Sequence, residues 1–212
     1  YTTLFRSSLL GYLETLSLKA DRLTMEENKQ YLNIALRQGN KVRHLSQQLF
    51  ELARLEHGGI KPQPETFVLA ELVQDVAQKF DLPVATRNIG LQLELAAGLP
   101  PVTADLSMIE RVLTNLLDNA IRHTPEGGVI RLAARRAGPE IIVEVADSGP
   151  GIAGELRATL FERPSVLEPG AQSASRGGLG LMIVRRMLQL HGGDIRLLEA
   201  PAGACFQFTL PV

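Results

Sequence analysis

Two asparagines four residues apart, Asn115 and Asn119, lie in a segment whose apolar residues recur at helical spacing. Asparagine is a poor choice for a helix interior, because its side chain competes for backbone hydrogen bonds. Residues four apart share one helix face, and Arg122, three beyond Asn119, joins it. A neutral amide oxygen can ligate a hard cation such as Mg²⁺ without adding negative charge beside a polyphosphate. Taken alone, the spacing suits a solvated helix face better. A second candidate, Asp147-Ser148-Gly149-Pro150-Gly151-Ile152, directly follows a strand-like run. Its glycines let the backbone approach a ligand closely. An aspartate at the strand tip can accept a hydrogen bond from an exocyclic amine such as that of adenine. Alone, this is a common turn. The third, Gly177-Gly178-Leu179-Gly180-Leu181, opens a helix, where unpaired amides and the helix dipole both favour an anion. Its bland counterpart is a flexible loop that happens to precede a helix.

The elements that must position these residues have two textures. Up to about His57 the chain reads as helical. Leu9, Leu13, Leu16, Ala20 and Leu23, and then Val42, Leu45, Leu49, Leu52 and Glu56, alternate spacings of four and three, the seam of packed helices. Asp21 to Thr24 offers a turn and an N-cap between two antiparallel helices. Such a pair buries too little alone, so a dimeric four-helix bundle is the natural completion. The alternative is a pair folded onto the second domain. Gly58-Gly59-Ile60-Lys61-Pro62-Gln63-Pro64 breaks the helix and reads as a linker.

Beyond the linker the periods mix. The pattern predicts helices over Leu69–Phe80, Leu106–His123 (capped by Asp105) and Leu179–Leu190 (stopped by His191-Gly192-Gly193). It predicts strands over Ile89–Leu95, Gly128–Arg136, Glu140–Ala146, Asp194–Glu199 and Ala204–Leu210. This order gives an α+β architecture: an N-terminal antiparallel helical hairpin followed by a two-layer α/β sandwich with helices on one face. The expected divisions are a hairpin over 1–58, a linker over 59–65 and a second domain over 66–212.

Of 212 residues, 45% are hydrophobic and 21% charged, enough apolar matter for a buried core. The net charge of -1 gives no pull toward nucleic acid or an acidic membrane surface. The single cysteine, Cys205, excludes an internal disulfide and a cysteine zinc cluster. It lies in an apolar strand-like run and reads as a packed thiol. No apolar run is long enough to span a bilayer, and no signal peptide is visible. The expectation is a soluble piece of a longer membrane protein.

Each chemical motif is modest, but their order and spacing together resemble the histidine-kinase branch of the ATPase family that includes gyrase, heat-shock protein 90 and MutL. Asn115 to His123 looks like the family's N box, and Asp147-x-Gly149-x-Gly151 like its G1 box. Phe161-Glu162-Arg163 looks like its F box, and Gly178-Leu179-Gly180-Leu181 like its G2 box. The closing Phe206-Gln207-Phe208-Thr209-Leu210-Pro211 is similar to the family's last strand. The likeness covers Pro64 to Val212 and implies the Bergerat ATP-binding fold. It implies ATP and Mg²⁺ as ligands, with Asn119, helped by Asn115, on the metal. Arg122 would stand near the phosphates and His123 beside the nucleotide. Asp147 would bond the adenine amine, with Gly149 and Gly151 close to base and ribose. Gly178 and Gly180, with Leu179 between them, would cradle the phosphates, and Phe161 to Ser175 would form a lid. The implied activity is transfer of the γ-phosphoryl group to a histidine on the dimerisation hairpin, then relay to an aspartate of a response-regulator receiver domain. The implied setting is a homodimer, with no nucleic-acid partner. The implied location is the cytoplasmic region of a bacterial protein anchored in the inner membrane through an upstream sensor region.

Two positions depart from the pattern. Pro164 replaces the second phenylalanine of the F box, and Arg176 replaces the first glycine of the G2 box, where it would either reach a phosphate or hinder the loop. The acceptor motif is also missing. Ser8 to Glu14 matches the tail of the family's phosphorylation motif, so the acceptor would fall before Tyr1 and its acidic neighbour on Tyr1. Tyr1-Thr2-Thr3-Leu4-Phe5-Arg6-Ser7 is what the end of a common sequencing adapter encodes in one frame, so the expectation is that the natural sequence begins near Ser8; the alternative is a genuinely degenerate hairpin. His44, His57, His123 and His191 do not replace the acceptor. A non-catalytic dimerising scaffold is the competing class. A hydrolytic clamp like MutL or gyrase is disfavoured, because Asn115 stands where those proteins carry a glutamate base.

Overall fold

The computed structural model describes Leu10, Gly11, Leu13, Leu18 and residues 23–162 and 179–212. Helix α1 spans Met25–Glu56 and starts at a reciprocal cap. The Thr24 hydroxyl accepts from Glu27 N at 3.2 Å, and the Glu27 carboxylate accepts from Thr24 N at 2.8 Å. Thr24 is thus the N-cap that the sequence suggested. Of the first helix seam, Leu9, Leu16 and Ala20 lie outside the described residues.

After the linker come β1 (Glu65–Phe67), α2 (Leu69–Lys79), α3 (Asp81–Thr86), β2 (Gly90–Leu95), β3 (Val102–Ala104) and α4 (Leu106–His123). The hairpin β4 (Val129–Ala137) and β5 (Glu140–Asp147) follows, then α5 (Gly154–Arg157), α6 (Leu179–Leu190), β6 (Ile195–Leu198) and β7 (Cys205–Pro211). The sequence periods located every long element to within a residue or two. They missed β1 and β3, whose three residues each are too few to show alternation, and which pair antiparallel from Glu65↔Ala104 to Phe67↔Val102. They also missed α3, a short turn of helix for which Phe80 serves both as the end of α2 and the start of α3.

Five strands form one sheet in the order β2-β4-β5-β7-β6. The β2–β4 pair is parallel and the remaining pairs are antiparallel. Alternate residues point inward, so Ile130, Leu132, Ile141, Val143, Val145, Phe206 and Phe208 are all buried on one face. Helices α2, α4 and α6 cover that face with Val73, Val76, Ile109, Val112, Leu116, Ile183 and Leu188, forming a single core. The opposite face stays polar. Arg196 donates to Gln207, Gln207 donates to Glu144 at 2.7 Å, and Arg131 reaches Glu144 at 3.3 Å and Glu94 at 3.1 Å.

The last turns of α1 pack on α6. Leu52 and Leu55 enter the core, Arg186 Nε donates to Leu55 O at 3.3 Å, and Arg111 pairs with Glu51 at 2.6 Å. Of the expected seam of Val42, Leu45, Leu49, Leu52 and Glu56, Leu52 instead enters the core of the sheet domain. The reason is angular: residues 48, 52 and 55 share a side of the helix that seam spacing alone cannot distinguish from its neighbour. The linker is also tied down. Gln63 N donates to Asp105 Oδ2 at 2.8 Å, and Asp105 N donates to His191 Nε2 at 3.0 Å. His191 Nδ1 lies 2.7 Å from the carbonyl oxygen of Met187, which can only accept, so Nδ1 carries the proton.

Candidate functional site

Helix α4 carries the paired amides, and both of its ends are fixed. At its start, Asp105 Oδ1 accepts from Met108 N at 3.0 Å. At its end, the Arg87 guanidinium donates to Ile121 O and, at 3.2 Å, to Thr124 O. A cation suits the negative pole of the helix dipole there. Thr124 adds two bonds to Ala120 O, from its amide at 2.9 Å and its hydroxyl at 2.7 Å. The turn bearing Arg122 and His123 is therefore held firmly.

Asp147 ends β5 opposite Ile130 of β4 and is 8% exposed. Its two oxygens have different fates. Oδ1 accepts from Gly149 N at 2.9 Å and from Ala204 N at 3.3 Å. Oδ2 takes part in no hydrogen bond among the described residues, although the group is buried. Oδ2 is thus left free to accept from a ligand that brings a donor. Desolvation pushes the Asp147 carboxyl above its usual range, against the two backbone donors and the nearby His123.

The walls around this oxygen explain two glycines. A Cβ on Gly149 would lie 2.6 Å from His123 O and 2.8 Å from Asp147 Oδ1. Gly203 has φ +72, and a Cβ there would stand 1.6 Å from Asp147 O. Gly151 faces the same turn, with Gly203 O 2.9 Å from where its Cβ would be. His123, half-buried on the rim, is pushed down by desolvation and by the charges of Arg122 and Arg87, against the pull of Asp147. It is the neutral imidazole that the site prefers.

The second end of the site lies where α4 meets the start of α6. A Cβ on Gly180 would be 3.6 Å from both Asn115 Oδ1 and Gln48 Nε2. From Asn115 to His123 the helix rises about 12 Å, with Asn119 midway, so the two ends are joined by one face of α4. Asp118 sits on the same helix, its carboxyl raised by desolvation against the charges of Arg122 and His44. His44 belongs to α1, so that helix flanks the site.

Of the residues read from the sequence, Asp147, Gly149, Gly151 and His123 meet at one end, and Asn115 and Gly180 at the other, with Asn119 between. Leu179 is different in kind. Its side chain is core, so its backbone amide is what remains for an anion. The Phe161 ring stands edge-on to core Phe206, with centroids 6.3 Å apart. Arg163, Pro164, Arg176, Gly177 and Gly178, and most of the expected lid, lie outside the described residues. Sequence reading missed Gly203 and Ala204, which brace Asp147. It also missed Arg87 and Gln48. A glycine in the turn between the last two strands was visible, but nothing in the order of residues linked it to a position 56 earlier. Burial pushes the Cys205 thiol up, away from nucleophilic use. Among the described residues no three His, Cys, Asp or Glu side chains gather as a metal centre. Oxygen for a hard ion would come from Asn119 and Asn115 together with a ligand's own phosphates.

Comparison with known proteins agrees with this geometry. Residues 104–212 match the family model described as histidine kinase-, DNA gyrase B-, and HSP90-like ATPase. The alginate biosynthesis sensor protein KinB of Pseudomonas aeruginosa is 38% identical over 77% of this chain and 27% of its own length. The adaptive-response sensory kinase SasA of Synechococcus sp. (strain CC9311) is 30% identical over 93% of this chain and 52% of its own. The chain thus spans about half or less of these relatives. Histidine kinase ThkA, solved in complex with response regulator protein TrrA, superposes with TM-score 0.80, is 26% identical, and covers 99% of this chain and 59% of its own. The paired-amide helix, the pinned aspartate and the shared two-layer fold agree with the sequence match: the chain belongs to the histidine kinase-, DNA gyrase B-, and HSP90-like ATPase family, in its sensor histidine kinase branch.

Proposed function

We propose that this chain binds Mg·ATP between α4, the tip of β5 and the start of α6, and serves as the catalytic region of a two-component protein-histidine kinase. The observation that carries the reading is the divided use of the Asp147 carboxylate. Backbone amides hold Oδ1, while Oδ2 has no hydrogen-bond partner among the described residues and would accept from the amine of adenine. Gly149, lacking a Cβ, lets its turn pack directly against His123 O and the Asp147 carboxylate, which keeps that carboxylate in place for a base. Neutral His123 offers a ring face without adding charge. Asn119 and Asn115 would hold Mg²⁺, which when bound neutralises charge on the phosphate oxygens. The amides at the start of α6, with Gly180, orient the phosphate chain, and Arg122 adds a cation at the same face of α4. The chain's work is positioning and charge stabilisation. It does not activate water, since Asn115 cannot take a proton.

The phosphoryl group would pass to a histidine on the dimerisation hairpin and then to a response-regulator aspartate. The complex of ThkA with TrrA supports a response regulator as partner. Leu32, Leu36 and Phe50 are 50%, 64% and 71% exposed on a side of α1 turned away from the sheet domain, which supports a homodimer through that helix. No helix of the described residues is long and apolar enough to cross a membrane. We place this region on the cytoplasmic side of an inner-membrane sensor. Calorimetric titration with Mg·ATP tests the core of the reading, and phosphoryl transfer from labelled ATP to an added hairpin carrying an acceptor histidine tests the rest. No binding at millimolar nucleotide would overturn it.

A further inference from the structure

Helix α1 packs on α6 and reaches α4 through two side-chain pairs in antiparallel order. Glu51 pairs with Arg111 at 2.6 Å, and His44 lies close enough to Asp118 to act on its carboxyl. The pairs bracket Gln48 and Asn115: spacings of four and three on α1 meet spacings of three and four on α4. Gln48 is 7% exposed, a rare burial for a polar side chain. Its carboxamide joins no hydrogen bond among the described residues. Its Nε2 and Asn115 Oδ1 both lie 3.6 Å from the Cβ position of Gly180, at the first turn of α6. The side chain is buried as a whole and its amide has no protein partner among the described residues, which leaves Nε2 free to donate beside the first turn of α6, where backbone amides and the helix dipole favour an anion.

We propose that Gln48 is a nucleotide-contacting residue supplied by the hairpin helix, donating from Nε2 to the terminal phosphate of bound ATP. The inference rests on the Mg·ATP reading above. A neutral donor on α1 strengthens with each phosphate added and is indifferent to the nucleoside. Binding linkage then makes ATP favour the docked position of α1, and docking of α1 favour ATP over ADP.

The test is titration of the full chain and its Gln48→Glu and Gln48→Ala variants with Mg·ATP, Mg·ADP and adenosine. Adenosine affinity reports an intact fold and base pocket. A carboxylate at position 48 should weaken Mg·ATP by about tenfold or more, weaken Mg·ADP less, and leave adenosine unchanged. Gln48→Ala should lose several-fold for Mg·ATP alone. Glu51→Arg, which unpairs α1 from Arg111, should weaken Mg·ATP, and the double exchange Glu51→Arg with Arg111→Glu should restore it. If the parent binds Mg·ATP but Gln48→Glu binds it equally well, the inference is wrong and the nucleotide site stands. If Gln48→Ala binds Mg·ATP more tightly, Gln48 competes with the phosphate and the inference is again wrong. If the parent binds none of the three ligands, the nucleotide reading itself falls and takes this inference with it.

Discussion

The substitution Asp147→Asn isolates the claim about adenine. The two side chains have the same shape. Oδ1 must remain the atom facing inward, because Gly149 N and Ala204 N both donate to it, and an inverted amide would set donor against donor. The nitrogen of the asparagine therefore replaces Oδ2. It presents a donor where the adenine amine also presents one. The lost bond to a charged acceptor is worth about 1.5–3 kcal/mol, so affinity should fall by about 10- to 150-fold, and the opposed donors add to that. Stability should not fall. The Asp147 carboxyl is raised in the folded protein, so its contribution is complete below the unfolded value near 3.8 and is lost as pH rises through the folded value. At neutral pH the carboxylate form is a cost that asparagine does not carry. Calorimetric titration with adenosine and with Mg·ATP, beside a thermal melt of the free protein, reads both quantities. A variant that melts at or above the parent temperature and still binds adenosine equally well would refute the assigned role.

Asn119→Ala should weaken Mg·ATP far more than adenosine, by about tenfold or more, because it removes a metal ligand and leaves the base pocket whole; equal losses for both ligands would contradict the assignment. Gly203→Ala places a methyl 1.6 Å from Asp147 O at φ +72. It should cost about 1–3 kcal/mol or more, seen as a lower denaturation midpoint. Arg87→Ala removes the guanidinium that closes α4 and should destabilise the chain by about 1 kcal/mol or more, with Arg87→Lys restoring only part, since lysine lacks the two-pronged geometry. His123 has a folded value below its unfolded one, so its contribution is present above about pH 6.5 and is lost as pH falls through the folded value. The stability difference between the parent and His123→Phe should therefore change as pH drops below that point, and a pH-independent difference would remove His123 from the account.

Much of the fold was legible because long amphipathic segments advertise themselves. Helix α4 and helix α6 were placed to the residue by periodicity plus Asp105 and the glycine stop. The chemistry-bearing residues of α4 and the β5 tip were legible because asparagine in a helix and glycine after a strand need reasons. What stayed hidden depends on distance in the chain. Nothing local says that Ala204 N will support Asp147, or that Arg87 will reach Ile121 O. The docking of Leu52 and Leu55 on α6 was also hidden, because heptad spacing tells which residues are apolar together and not which neighbour they will meet. Gln48 reads as an ordinary surface glutamine until the fold buries it.

Helix α1 has two distinct sides, one exposed and apolar, the other docked. One bears Leu32, Leu36 and Phe50, and the other bears Gln48, Glu51, Leu52 and Leu55 against the sheet domain. Each residue step along such a rod is about 100° of turn, so twisting it by even half a step carries one side or the other out of register. Torque applied to the rod from its far end would then be felt at Asn115 without any part of the sheet having to bend.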